Sequence, residues 1–211
     1  MTRVGVLALQ GDFREHARSL RAVGAEAREV RTPQELQSID ALIIPGGEST
    51  TIARLLLAYD LFEPIRTLGA NGFPLWGTCA GAVLLADEVQ GDLDREPLAL
   101  MPMTIDRNAY GRQIDSFEAE LGASTLNGSQ APFPGIFIRA PRIREVREDV
   151  EVLIEHTTEL GESEPVAVRR GPLLATTFHP ELTSDHRLHA YFVESCVQGN
   201  RAGSRAERVQ P

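Results

Sequence analysis

Phe73-Pro74-Leu75-Trp76-Gly77-Thr78-Cys79-Ala80-Gly81-Ala82-Val83-Leu84-Leu85-Ala86 runs from an apolar strand end, through a turn bounded by glycines, into an apolar helix start. Glycines on both sides let the backbone turn sharply and let neighbouring chain approach closely. A Gly-x-Cys-x-Gly turn between strand and helix is the cysteine counterpart of the nucleophile elbow of α/β hydrolases. Its cysteine sits at a helix N-terminus, where the peptide dipoles favour a thiolate. That arrangement suits attack by sulfur on an acyl carbon. A cysteine in apolar surroundings is otherwise a packing residue, so the reading needs a base.

Phe178-His179-Pro180-Glu181 supplies one. Read as an extended segment, it projects His179 and Glu181 to the same side, with Pro180 stiffening the chain between them. Cys79, His179 and Glu181 then form a Cys-His-acid triad: the imidazole takes the thiol proton and the carboxylate orients the ring.

Working outward from the elbow, apolar strands alternate with helices. Arg3 to Leu9 reads as a first buried strand and Ala25 to Val30 as a second. Between them Asp12 caps a helix through Val23 with Phe13, Ala17 and Leu20 on its apolar face. Thr32-Pro33-Gln34-Glu35 is a helix start with proline at the first position and glutamate at the third. Ala41 to Ile44 is a third strand, followed by helices from Ser49 or Thr50 and across Leu61 to Leu68, and Phe73 to Trp76 is the fourth strand. Unalternating apolar strands separated by helices predict a mostly parallel central sheet covered on both faces. After about Gly91 the pattern changes to short strands at Met101–Ile105, Ser116–Leu121, Ile136–Ile138 and Val152–Ile154. Val166–Arg169 and Leu173–Phe178 read as an antiparallel pair joined by Arg170-Gly171-Pro172, and His186–Val197 as a last helix. The prediction is one α/β domain over residues 1–197, with antiparallel strands in its C-terminal half. A polar, arginine-bearing tail at 198–211 is expected to be disordered.

The 211 residues suit one domain, and 42% hydrophobic residues suffice for its core. A net charge of −9 with no basic stripe disfavours a nucleic-acid partner. Cys79 and Cys196 do not form a disulfide framework: Cys196 lies in the apolar pattern of the last helix, and a reducing cytoplasm fits. No apolar run reaches membrane-spanning length, and Val4 to Leu9 is too short for a signal-peptide core. His16 reads as exposed, where a partner could cover it; His186 and His189 share one helix face that reads as solvated or partly packed. Neither a metal nor a cofactor is expected.

Ligands of α/β sheets bind outside the carboxyl ends of the strands. Gln10-Gly11, Gly46-Gly47-Glu48-Ser49 and Thr78-Cys79-Ala80 all meet that rule, and the Gly46-Gly47 pair offers backbone N–H groups at a helix start.

These segments resemble the class I (triad) glutamine amidotransferases and, among them, the glutaminase subunits of pyridoxal 5'-phosphate synthases. Five stretches carry the likeness. They are Gly5-Val6-Leu7-Ala8-Leu9-Gln10-Gly11-Asp12, Pro45-Gly46-Gly47-Glu48-Ser49-Thr50-Thr51, Trp76 to Gly81, Arg107-Asn108-Ala109-Tyr110-Gly111-Arg112-Gln113, and Phe178-His179-Pro180-Glu181-Leu182-Thr183. The likeness covers roughly residues 3 to 197. It implies Cys79 as nucleophile, His179 as general base and then acid, and Glu181 as the group orienting His179. It also implies L-glutamine contacts at Gly47, Glu48, Ser49, Arg107, Ile138 and Arg139, with Gln10 near the surface where a synthase subunit docks. Backbone N–H groups of Gly47 and Ala80 are the expected oxyanion donors. The implied activity is hydrolysis of L-glutamine to glutamate and ammonia. A synthase subunit, in a large hetero-oligomer, would use that ammonia to make pyridoxal 5'-phosphate from ribose 5-phosphate and glyceraldehyde 3-phosphate. Three alternatives stay open: an amidotransferase serving another acceptor, a free-standing γ-glutamyl hydrolase, and a non-enzymatic regulatory scaffold. Substitutions at Gln10 or His16 are expected to weaken coupling to the synthase more than they disturb the fold.

Overall fold

The computed structural model describes residues 1–107, 116–122, 126, 131–147, 149–158 and 161–200. Its first half alternates strands and helices: β1 (Arg3–Leu7), α1 (Phe13–Ala22), β2 (Glu26–Val30), α2 (Pro33–Leu36), β3 (Ala41–Ile44), α3 (Ser49–Ala58), α4 (Phe62–Ala70), β4 (Leu75–Thr78) and α5 (Ala80–Leu85). Strands dominate the rest: β5 (Ala86–Gln90), β6 (Met101–Asp106), β7 (Ser116–Leu121), β8 (Phe133–Ile138), β9 (Arg142–Val146), β10 (Glu151–Thr157), β11 (Ser163–Arg170) and β12 (Leu173–Thr176). A 3-10 turn (Pro180–Leu182), α6 (Arg187–Tyr191) and a π-helical stretch (Phe192–Gln198) follow.

The main sheet has the order β10-β11-β12-β4-β3-β1-β2. Every pairing from β12 to β2 is parallel, and β10-β11 and β11-β12 are antiparallel. The predicted hairpin across Arg170-Gly171-Pro172 is therefore present. It returns the chain to the sheet centre, where β12 lies beside β4 with Thr176 opposite Thr78. Two small sheets, β5-β6-β9 and β7-β8, flank the main one.

Strand side chains alternate between the two faces. Leu42, Ile44, Leu75, Leu173 and Ala175 pack with α3, α4 and α5; Ala41, Ile43, Trp76 and Leu174 pack with α1, α6 and the π-helical stretch. Each fully buried Leu or Ile contributes about 1.5–3 kcal/mol relative to an exposed one. Both faces are thus covered, as a parallel sheet requires.

Several expectations shift. The fourth strand begins and ends two residues later than predicted, so Thr78 is the last strand residue and Cys79 follows directly. Strands β5 and β9 fall where none was predicted. The last helix changes to π-type hydrogen bonding at Phe192 and continues helically through Asn200. Residues 198–200, expected in the tail, are therefore helical, and residues 201–211 lie outside the described ones. Asn108 to Gln113 of the Arg107–Gln113 segment also lie outside them. No helix among the described residues is long and apolar enough to cross a membrane.

Candidate active site

The elbow is as tight as the glycines suggest. Cys79 has φ +47° and ψ −104°, a conformation unfavourable for a residue with a Cβ. A Cβ at Gly81 would stand 2.0 Å from the carbonyl oxygen of Ile44, and one at Gly77 would stand 2.4 Å from the backbone of Gly81. Small residues on either side let α5 start against the end of β3. The strain is held by the sheet: Cys79 N–H donates to Thr176 O at 2.8 Å, continuing the β4-β12 ladder by one bond. Cys79 is 6% exposed, and its Sγ lies 4.0 Å from Ile138 O.

His179 leaves the far end of β12, beside the elbow. Its N–H donates to Ile136 O at 2.8 Å, which anchors the segment to β8. Its Nδ1 lies 2.8 Å from Glu181 Oε1, and both side chains are buried. The segment is not extended as predicted. Pro180 begins a 3-10 turn, and that turn swings Glu181 back to His179. Burial works against a charge on His179. Hydrogen bonds to Cys79 and Glu181, with their charges, outweigh it and lift its pKa to about 10. Burial pushes Glu181 upward, opposed by the hydrogen bond and charge of His179.

The sulfur and imidazole face a cleft of about 370 Å³. Of the sequence-predicted residues, Gln10, Gly47, Glu48, Ser49, Ala80, Arg107, Ile138 and Arg139 line it. Glu181 lies behind His179 rather than in the cleft wall. Glu48 is the N-cap of α3: its carboxylate accepts from the N–H of Thr50 and Thr51 and from the Thr51 hydroxyl. Burial alone would raise its pKa; these bonds override it and bring it down to about 2. Arg107 Nη2 reaches Glu48 Oε1 at 3.2 Å and Thr50 Oγ1 at 3.1 Å. Gln10 Oε1 accepts from Glu48 N–H at 2.9 Å. Beneath it, Gly11 (φ +94°) passes so close to Gly46 that a Cβ would fall 1.8 Å from the Gly46 oxygen. The rim thus presents a fixed carboxylate, two guanidinium groups and backbone N–H groups, a set suited to a zwitterionic amino acid.

Three cleft residues were not singled out as site residues: Asp12, Val83 and Pro141. Asp12 was read as a helix cap, but its side chain makes no capping bond and its Oδ2 lies 3.6 Å from His179 Nδ1. Its place in a loop at a strand's carboxyl end was the available signal. His16 is the clearest correction. It is fully buried, not exposed, with Nε2 3.3 Å from Glu181 Oε2 and Nδ1 3.0 Å from His189 Nε2. His189 is fully buried too, with its ring 4.8 Å from that of Trp76.

The SNO glutamine amidotransferase family matches residues 6–198. The pyridoxal 5'-phosphate synthase subunit PdxT of Dehalococcoides mccartyi is 52% identical over 91% of this chain and 96% of its own length. The PdxT of Chloroflexus aggregans is 54% identical over 90% and 98%. A crystal structure of a glutamine amidotransferase superposes with a TM-score of 0.82 at 47% identity, covering 92% of this chain and 98% of that one. PurLQS from Thermotoga maritima shares the fold at a TM-score of 0.66 and 16% identity, over 96% and 98% of the two chains. Likeness in sequence and likeness in fold both extend from the first strand to the last helix, and the chain belongs to the SNO glutamine amidotransferase family.

Proposed function

We propose that this chain is the glutaminase subunit of a pyridoxal 5'-phosphate synthase. The observation that carries the chemistry is the meeting of a strained cysteine with a buried His179–Glu181 pair, facing a cleft whose rim holds Glu48 and Arg107. Its relatives named as pyridoxal 5'-phosphate synthase subunits support the partner.

The Cys79 sulfur attacks the side-chain amide carbon of L-glutamine. The oxyanion that forms is held by the N–H groups of Gly47 and Ala80, each such donor being worth about 10²–10³ in rate. His179, carrying the proton taken from sulfur, gives it to the departing nitrogen, and ammonia leaves a γ-glutamyl thioester. The neutral ring then takes a proton from water, which attacks the thioester and releases glutamate. Glu48 meets the α-ammonium group of the substrate, and Arg107 and Arg139 meet its α-carboxylate. Ser49 and the Ile138 backbone complete the glutamine contacts. Gln10, which ties the cleft to the Glu48 loop, lies where the synthase subunit docks. That subunit takes up the ammonia with ribose 5-phosphate and glyceraldehyde 3-phosphate.

The test is ammonia release from glutamine by the purified chain, with and without a pyridoxal 5'-phosphate synthase partner subunit. Strong stimulation by the partner is expected. Cys79→Ala should lose turnover by on the order of 10⁵–10⁶-fold while still binding the partner. Substantial turnover by the variant would sink the triad, and equal activity with and without the partner would point to a free-standing hydrolase.

A further inference from the structure

The triad does not end at Glu181. Its Oε1 accepts from His179, but Oε2 is buried and receives no well-aligned hydrogen bond among the described residues. What stands beside Oε2 is His16 Nε2, at 3.3 Å, from the second turn of α1. The same nitrogen lies 3.1 Å from Thr78 Oγ1, at the end of the strand that carries Cys79. The other ring nitrogen of His16 lies 3.0 Å from His189 Nε2 on α6. Both rings are fully buried, His16 against the edge of Trp76 at a centroid distance of 5.6 Å.

Burial favours the neutral form of both imidazoles. Burial, then the charges of His189 and His179, holds His16 well below its usual value, and burial with the charge of His186 brings His189 down to about 3. A neutral imidazole has one donor and one acceptor nitrogen. Two neutral rings sharing a single N···N contact have one proton between them, and its position sets the outer nitrogens. With the proton on His16 Nδ1, the bare lone pair of His16 Nε2 would face a buried carboxylate oxygen. With the proton on His189 Nε2, His16 Nδ1 accepts it and His16 Nε2–H donates to Thr78 Oγ1 while standing 3.3 Å from the carboxylate oxygen. Among the described residues His189 Nδ1 has no hydrogen-bond partner, so leaving it bare wastes no donor. The second arrangement satisfies the groups that are costly to leave unpaired.

We propose that His16 is a positioning residue of the triad: its Nε2–H, bonded to Thr78 Oγ1, sets a positive dipole end 3.3 Å from the second carboxylate oxygen of Glu181, and His189 fixes the tautomer that makes this possible. The relay runs from His189 through His16 and Glu181 to His179. It touches no substrate. It limits rotation of the Glu181 carboxylate, and through it the aim of the His179 ring at Cys79. It also explains why α1 buries a histidine in a stripe otherwise made of Ala17, Ser19 and Leu20. Among the described residues, the titratable groups around His16 are Glu181, His179 and His189, with His186 beyond His189.

The kinetic arm of the test rests on the glutaminase reading above; the spectroscopic arm does not. Long-range ¹H–¹⁵N spectra of the full-length wild-type chain at neutral pH should show His16 and His189 neutral, each protonated at Nε2. A proton on His16 Nδ1, or a charged His16 ring, overturns the proposal. In the complex with the synthase subunit, His16→Leu should lower kcat by roughly 10–100-fold with KM for glutamine within about twofold. His16→Gln, which keeps an N–H donor, should recover most of kcat. Equal losses for both variants overturn the positioning role. A wild-type complex that releases no ammonia would sink the glutaminase reading instead, and the tautomers alone would then decide.

Discussion

The inner wall of the cleft and its outer rim are built on different physics. On the wall and directly behind it, Cys79, His179 and Glu181 are 6%, 3% and 5% exposed, held by strand ladders and core packing. On the rim, Gly47, Glu48 and Arg139 are exposed, and the order among Glu48, Arg107 and Thr50 comes from charge-assisted hydrogen bonds. Two titrating groups show the contrast. His179 is raised to about 10 against its own burial by two partners inside the protein. Glu48 is lowered to about 2 by N–H and O–H donors at a helix end. The wall holds its polar atoms where water cannot compete, and a strained backbone survives there because packing holds it. The rim reads charge where exchange with solvent is needed, and its bonds weaken with salt.

Substitutions that attack one region should leave the other's readout alone. The largest effect is expected on the wall. Gly81→Ala drives a Cβ to 2.0 Å from the Ile44 oxygen, so β3 and α5 must part. Stability should fall by about 3 kcal/mol, measured by urea denaturation; an unchanged midpoint would mean that the elbow has slack. On the rim, Glu48→Gln keeps the shape of the cap and removes the charge. KM for glutamine should rise about tenfold with kcat within about threefold, and a loss confined to kcat would move Glu48 into the bond-making step.

The smallest effect at neutral pH concerns the back of the wall. His189 titrates at about 3 when folded and at about 6.5 when unfolded. The unfolded chain therefore binds more protons between these values. This contribution is fully present above about 6.5 and is lost as pH falls toward the folded value. His189→Gln cannot titrate and keeps a donor for His16. Its unfolding free energy should fall less steeply in that window, by up to about 1.4 kcal/mol per pH unit. Superimposable pH profiles for the two proteins would show that His189 is not the buried neutral base described above.

The same division governs what the sequence discloses. The elbow is legible because Gly77, Cys79 and Gly81 are demanded by close approach, and that demand falls on residue types. The buried strands β1, β3 and β4 are legible because they are apolar on both faces. Strand β5 (Ala-Asp-Glu-Val-Gln) and strand β9 (Arg-Ile-Arg-Glu-Val) are mostly polar, so hydrophobic patterning gives no signal for them. The burial of His16 is hidden from the sequence for a related reason. Hydropathy places a histidine on the wet side of a helix, and only the fold reveals that Glu181, Thr78 and His189 converge on it. Glu181 itself was found by its spacing from His179, although the turn that joins them is not the extended one that the spacing suggested.

Cys79 and His179 stand a hundred residues apart in sequence yet emerge from adjacent strands, with Thr176 paired to Thr78 and bonded to Cys79. Their separation in space is therefore a property of neighbouring strands and not of the intervening chain. Loops between β5 and β11 that avoid Ile136–Arg139 can change length without retuning the distance between Cys79 and His179.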